Sequence, residues 1–217
     1  MSITNNLASI KTRIITAARR AGRNPKDIRL LVAGKYATAD QLLQLIKAGH
    51  KLIGENRAQD LKRKYQAIGD QAEWHFIGHL QRNKVKAVLP YITTLHSLDN
   101  LRLAQELEKQ LVKINKTLPV LVEVNTSREI TKSGIYPEDT PQFIKSLSQF
   151  PHLKVTGLMT MAAQVTSPED NRPHFKTLSQ LAQTTGLSEL SMGTSQDFEV
   201  AIAAGATIVR LGRIVFS

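Results

Sequence analysis

The chain has 217 residues, 41% of them apolar, no cysteine, and a net charge of +11 at pH 7. That length suffices for a buried core without staples, the composition is too apolar for a disordered chain, and the missing thiols exclude disulfides and thiolate-held metals. Its cations fall in short clusters (Arg19-Arg20, Lys62 to Lys64, Arg82 with Lys84 and Lys86) and aromatics make up only 5%, so a generally basic surface is expected rather than specific nucleic-acid binding.

The first 25 residues lack the continuous apolar stretch of a signal peptide and read as an amphipathic helix over 3–20. No apolar run approaches the length of a membrane span, which points to a cytoplasmic protein with no membrane partner. Strand and helix patterns then alternate. A strand over 28–33 precedes a helix capped by Thr38 and ended by Ala48-Gly49. A strand over 51–54 leads to a basic helix over 55–68, and a strand over 74–78 to a helix over 81–89. A strand over 91–95 precedes a helix over 98–113, and the β-branched run 119–125 precedes a helix over 140–149. Strands over 154–158 and 189–192 are followed by helices over 168–184 and 196–203, and a last strand covers 207–211. Eight strands, each but the last followed by a helix, predict an α/β fold: one (β/α)8 TIM barrel domain over 1–217 with an extra N-terminal helix. An open doubly wound sheet is the runner-up.

In a parallel barrel the chemistry collects at the C-terminal ends of the strands. The residues following them include Lys35, Glu55-Asn56-Arg57, Gly78-His79, His96-Ser97, Asn125-Thr126-Ser127, Met159-Thr160, Gly193-Thr194-Ser195 and Gly212-Arg213. A lysine there can condense with a carbonyl, hold a phosphate as a point charge, or reach into solvent. Gly-Thr-Ser before a helix and Gly-Arg after the last strand suit either a phosphate cradle or an ordinary helix cap and a packing glycine. A carbonyl-binding amine and a phosphate cradle on one face point together to pyridoxal 5′-phosphate. Nucleotide-binding glycine loops and the G-x-S-x-G elbow are absent, and His75 and His79 read as non-ligands, so no metal site is expected.

The stretches GENRAQD, WHFIGHLQRNKVK, HSLDN, VLVEVNTSREITKSGI, GLMTM and LSMGTSQDFEVAIAAGATIVRLG resemble the pyridoxal-phosphate homeostasis protein family, from about residue 5 to the C-terminus. Its barrel is that of the N-terminal domain of alanine racemase, fold type III. The resemblance makes Lys35 the covalent attachment point and Arg210 the arginine facing the pyridine nitrogen. It makes Ser195 and Gly212 the phosphate cradle, with Thr194 and Arg213 beside them. Asn56 would lie near the phenolic edge, Met159 against the ring, and Lys132 and Ser133 on a loop approaching the site. It implies a monomer without catalysis of its own, active in vitamin B6 and amino-acid/keto-acid homeostasis. Its partners would be pyridoxal phosphate itself and pyridoxal-phosphate-dependent apo-enzymes or regulatory proteins. An amino-acid racemase-like enzyme and a polyanion-binding module are the alternatives. Racemisation needs a second base; Tyr36 is the local candidate, but strand alternation would point it away from Lys35. Three positions depart from the family pattern: Gly34 stands for a Ser or Thr, Thr194 for a Met, and Arg213 for a Thr.

Overall fold

The computed structural model describes residues 2–163 and 165–217. Its first helix, α1 (Ile3–Arg20), is capped by Ser2, whose side chain accepts from Asn5 N–H. Leu7, Ile10, Ile14 and Ala18 form its buried stripe at the three- and four-residue spacing of one helix face. The barrel unit then repeats: β1 (Arg29–Ala33), α2 (Ala39–Lys47), β2 (Leu52–Glu55), α3 (Ala58–Ile68), β3 (Glu73–Phe76), α4 (Val85–Val88), β4 (Thr94–Leu98) and α5 (Leu101–Lys113). It continues with β5 (Leu118–Glu123), α6 (Thr140–Ser146), β6 (Leu153–Met159), α7 (Arg172–Thr185), β7 (Glu189–Ser191), α8 (Phe198–Ala203), β8 (Ile208–Leu211) and α9 (Arg213–Phe216). Neighbouring strands pair in parallel and β8 returns to β1, so the sheet is a closed barrel. The fold is the TIM barrel read from the pattern, with α1 packed against α2, α8 and α9. Asn6 on α1 donates to the carbonyls of Val215 and Ser217, tying the chain's two ends together. No helix among the described residues is long and apolar enough to cross a membrane.

The main core lies between barrel and helices. Inside the barrel, Leu31, Leu52, Ile77 and Ile208 form a separate apolar cluster. Across from it the interior is polar: His75, His96 and Ser191 are fully buried there. Strand alternation explains the split along β8, where Val209 and Leu211 join the outer core while Ile208 and Arg210 point inward.

Most element ends shift from the sequence reading by a few residues, and the larger differences are these. The fourth strand is Thr94–Leu98 rather than 91–95, so His96 and Ser97 lie within a strand rather than after it. A bulge places Leu95 opposite Val120 and Leu98 opposite Val122, and Ser97 Oγ donates to Gly78 O. Glu55 ends β2 instead of opening a helix, because Lys64 meets its carboxylate inside the protein. The helix read over 81–89 begins as a 3-10 turn, Arg82–Lys84, before α4. A short helix, α9, also follows the last strand.

At Gly157 a side chain cannot fit, since a Cβ there would run into the Glu189 carbonyl of β7. The same residue lies at the register shift between β5 and β6. Gly157→Ala is expected to lower stability by about 1–3 kcal/mol through overpacking. Urea unfolding checks this: the midpoint should fall with the slope unchanged.

Candidate functional site

β1 ends at Ala33, and Gly34 to Ala37 form a turn closed by Ala37 N–H donating to Gly34 O. Lys35 and Tyr36 rise from this turn, both exposed. Because the strand has already ended, period-two alternation does not apply, and Tyr36 lines the same cavity as Lys35. The Lys35 Nζ lies 4.7 Å from the Tyr36 ring centroid.

The turn is held from below. Lys64 Nζ, on α3, donates to Gly34 O at 2.7 Å and to Glu55 Oε1 at 2.5 Å, with side chains only 2% and 0% exposed. A Cβ on Gly34 would sit 2.8 Å from Glu55 Oε1, so the glycine makes room for this pair. Burial pushes the Glu55 carboxyl up, and Lys64 pulls against it. The neighbouring Asn56 loop depends on another glycine: a Cβ on Gly78 would collide with the Asn56 backbone.

One cavity of about 440 Å³ opens at the C-terminal end of the strands. Lys35, Asn56, Thr194, Ser195, Arg210, Gly212 and Arg213 all line it, though they come from four separate stretches of sequence. Asn56 Oδ1 is buried without a hydrogen-bond partner. Thr194 is turned toward its own chain, because its N–H and Oγ1 both donate to Asp197 Oδ1, at 2.7 and 3.0 Å. That leaves Ser195, Gln196 and Arg213 as the neighbouring polar side chains of the lining. Ser195 does not cap α8, whose N-cap is Asp197.

Met159 does not line the cavity. It is the last residue of β6, buried opposite Glu123 one layer down, and Met161 beyond the strand's end takes its place. Lys132 and Ser133 are also outside the lining; Lys132 Nζ is held by Glu129 Oε1 at 2.7 Å and Ala162 O at 3.0 Å.

Arg210 is buried at the cavity floor. Its Nη1 donates to Ser191 O and Oγ, each at 2.6 Å, and its Nη2 to Thr160 O at 2.8 Å and Met161 Sδ at 2.9 Å. Burial brings its pKa down to about 10, against the pull of Glu123 and Asp197, so it stays charged at neutral pH. Glu123, on β5, is pushed up to about 7 by burial and by Asp99, with Arg210 opposing. The sequence reading placed Glu55 and His96 after their strands, without their buried partners, and missed Glu123, Ser191 and Lys64. A lone acid in the run VLVEV was the available signal for Glu123. Nothing local marked Lys64, one cation in a basic helix.

A family model described as the alanine racemase N-terminal domain matches residues 5–217. A pyridoxal phosphate homeostasis protein of Aquifex aeolicus is 41% identical over 223 residues, spanning 100% of this chain and 98% of the relative. Among solved structures, a protein of Bifidobacterium adolescentis is 33% identical with a TM-score of 0.94, covering 99% of this chain and 94% of that one. PipY of Synechococcus elongatus PCC7942, solved with pyridoxal phosphate bound, is 26% identical with a TM-score of 0.85, covering 99% and 100%.

Two measurements follow from the site's buried charges. Lys64→Met strands the Glu55 carboxylate and is expected to cost about 3–5 kcal/mol in denaturant unfolding, while Lys64→Met with Glu55→Leu recovers most of it. Glu123 has a folded-state pKa above its unfolded value, so its contribution to stability is complete below about pH 4.5 and is lost as pH rises through about 7. Glu123→Gln is therefore expected to gain roughly 3 kcal/mol over the parent protein at pH 8 and nothing at pH 4. Unfolding curves at the two pH values check the sign.

Proposed function

The chain belongs to the pyridoxal phosphate homeostasis protein family, built on the alanine racemase N-terminal barrel, and on that premise we propose that it is a carrier of pyridoxal 5′-phosphate, attached at Lys35. In this reading it acts as a monomer in vitamin B6 and amino-acid/keto-acid homeostasis, not as an enzyme, and its partners are pyridoxal-phosphate-dependent apo-enzymes or regulatory proteins. The observation that carries the proposal is the convergence in one cavity of a single lysine with two arginines, Ser195 and Gly212.

The residues fit the cofactor's groups. Asn56 Oδ1 has no protein partner and so offers an unmet acceptor. Gly212 lets the cavity wall after β8 pack closely on β1, since a Cβ there would lie 3.2 Å from Ala33 O. Bound there, the cofactor supplies an aldehyde for a lysine amine and an electron-accepting ring.

The remaining roles belong to the chain itself. Arg213 supplies a cation for the phosphate where the family has a hydroxyl, a charge-assisted contact that offsets the nearby Asp197 carboxylate. Arg210 is charged and fixed by its four acceptors. Facing the pyridine nitrogen, as the resemblance implies, it would disfavour protonation there and weaken the ring as an electron sink. That supports holding over carbanion chemistry. Tyr36 is the observation that favours a racemase reading. Yet Lys35 and Tyr36 spring from one turn with their side chains in contact, whereas racemisation needs bases on opposite faces of the substrate.

Absorbance titration with pyridoxal phosphate is the test. The parent protein should develop a visible band, and borohydride reduction with peptide mapping should trap the pyridoxyl group on Lys35. Lys35→Ala should fold and lose the trap; undiminished cofactor content in that variant would sink the proposal. Arg213→Ala should weaken pyridoxal phosphate about tenfold and pyridoxal hardly at all. A panel of L- and D-amino acids should show no sustained turnover; conversion abolished by Lys35→Ala would establish the enzyme instead.

A further inference from the structure

Behind Arg210 a line of hydrogen bonds crosses the polar half of the barrel interior. Ser191 Oγ, 2.6 Å from Arg210 Nη1, lies 2.9 Å from His96 Nδ1. His96 Nε2 lies 2.8 Å from His75 Nδ1, and His75 Nε2 lies 2.9 Å from Glu73 Oε1. The three middle residues are fully buried. Glu73 opens β3 at the opposite rim of the barrel, with its side chain 47% exposed. The line therefore joins the cavity floor to the far face of the protein.

Its two ends fix its direction. A guanidinium only donates and a carboxylate only accepts. Arg210 donates to Ser191 Oγ, which frees the serine hydrogen for His96 Nδ1. His96 must then carry its proton on Nε2 and donate to His75 Nδ1. His75 in turn carries its proton on Nε2 and donates to Glu73. This arrangement satisfies every contact with both rings neutral. A proton on His75 Nδ1 would face the His96 Nε2 proton. Relieving that clash would move the His96 proton to Nδ1 and turn the serine hydrogen out of the line.

We propose that Ser191, His96, His75 and Glu73 are positioning residues that hold the Arg210 guanidinium in one orientation toward the cavity, through imidazoles locked as Nε2–H tautomers. The consequence for the cofactor rests on the reading given under Proposed function; the lock itself does not. Burial above all, with the Arg210 and Arg29 cations nearby, drives His96 well below its usual range, in keeping with a neutral ring. At that rim Arg29 is engaged with Glu189 at 2.5 Å. An ordered guanidinium retains little of the rotational freedom that a free arginine side chain loses on binding.

The test uses the full 15N-labelled chain at neutral pH, without and with added pyridoxal phosphate. Long-range 1H–15N spectra should show one protonated Nε2 and one bare Nδ1 for both His75 and His96. Ser191→Ala removes only the hydroxyl and should leave His96 as a mixture of tautomers; Glu73→Leu, on an exposed rim, should do the same to His75 and His96. A single Nδ1–H tautomer or an imidazolium in the parent protein would overturn the proposal, as would unmoved tautomers in both variants. In the cofactor titration, Ser191→Ala and His96→Leu should weaken binding about tenfold. His96→Gln, which offers one donor and one acceptor, should restore it to within about threefold. Unchanged affinity in Ser191→Ala would overturn the link to the cavity. Absence of any cofactor band in the parent protein would sink the carrier reading while the tautomers still decide the lock.

Discussion

A guanidinium buried inside a parallel barrel has to be given acceptors by the strands around it. Arg210 is that group here, and much of the interior is arranged about it. Its acceptors come from Ser191 on β7 and from Thr160 and Met161 just past β6. The Thr160 hydroxyl donates to Val124 O, and the Ser191 hydroxyl is shared with His96, so the support extends two strands further round. Leaving one of these donors unmet in so dry a place would cost more than the bond itself contributes. The demand explains why one half of the barrel interior is polar while Leu31, Leu52, Ile77 and Ile208 fill the other half.

The turn bearing Lys35 is placed by a second buried charge. Lys64 reaches up from α3 to the Gly34 carbonyl and the Glu55 carboxylate together, so the residue before Lys35 is fixed by an ion pair beneath it. Pairs of this kind add little net stability, because desolvation offsets the attraction. Their effect is to fix geometry. The glycine at position 34, where the resemblance implies a Ser or Thr, belongs to the same arrangement: the space a side chain would take is held by Glu55. Arg213 and Thr194, the other departures that the resemblance implies, follow the neighbouring strands β8 and β7, where Asp197 draws Thr194 away from the cavity and Arg213 brings a cation to it.

The alternation of apolar runs and helical periods was enough to read eight strands, a closed barrel and the extra N-terminal helix, because each of those signals is local. Capping chemistry was equally readable: Thr38 and Gln41 form a capping box on α2 where the sequence placed a helix start. Seven of the eight residues read as binding candidates line one cavity, since the ends of barrel strands must share a face. Met159 fell outside because strand length, not residue type, decided whether position 159 or 161 reaches the mouth. The fourth strand was misplaced for a related reason. His96 and Ser97 look like loop residues until His75, Ser191 and Gly78, all distant in sequence, supply their hydrogen bonds. The sequence by itself thus determined the barrel, its order of elements and the lysine at its mouth, all of which follow from periodicity and from strand ends. Only the tertiary structure decided which polar side chains are buried and what they meet, because a buried donor is tolerated according to acceptors that closure brings from other strands.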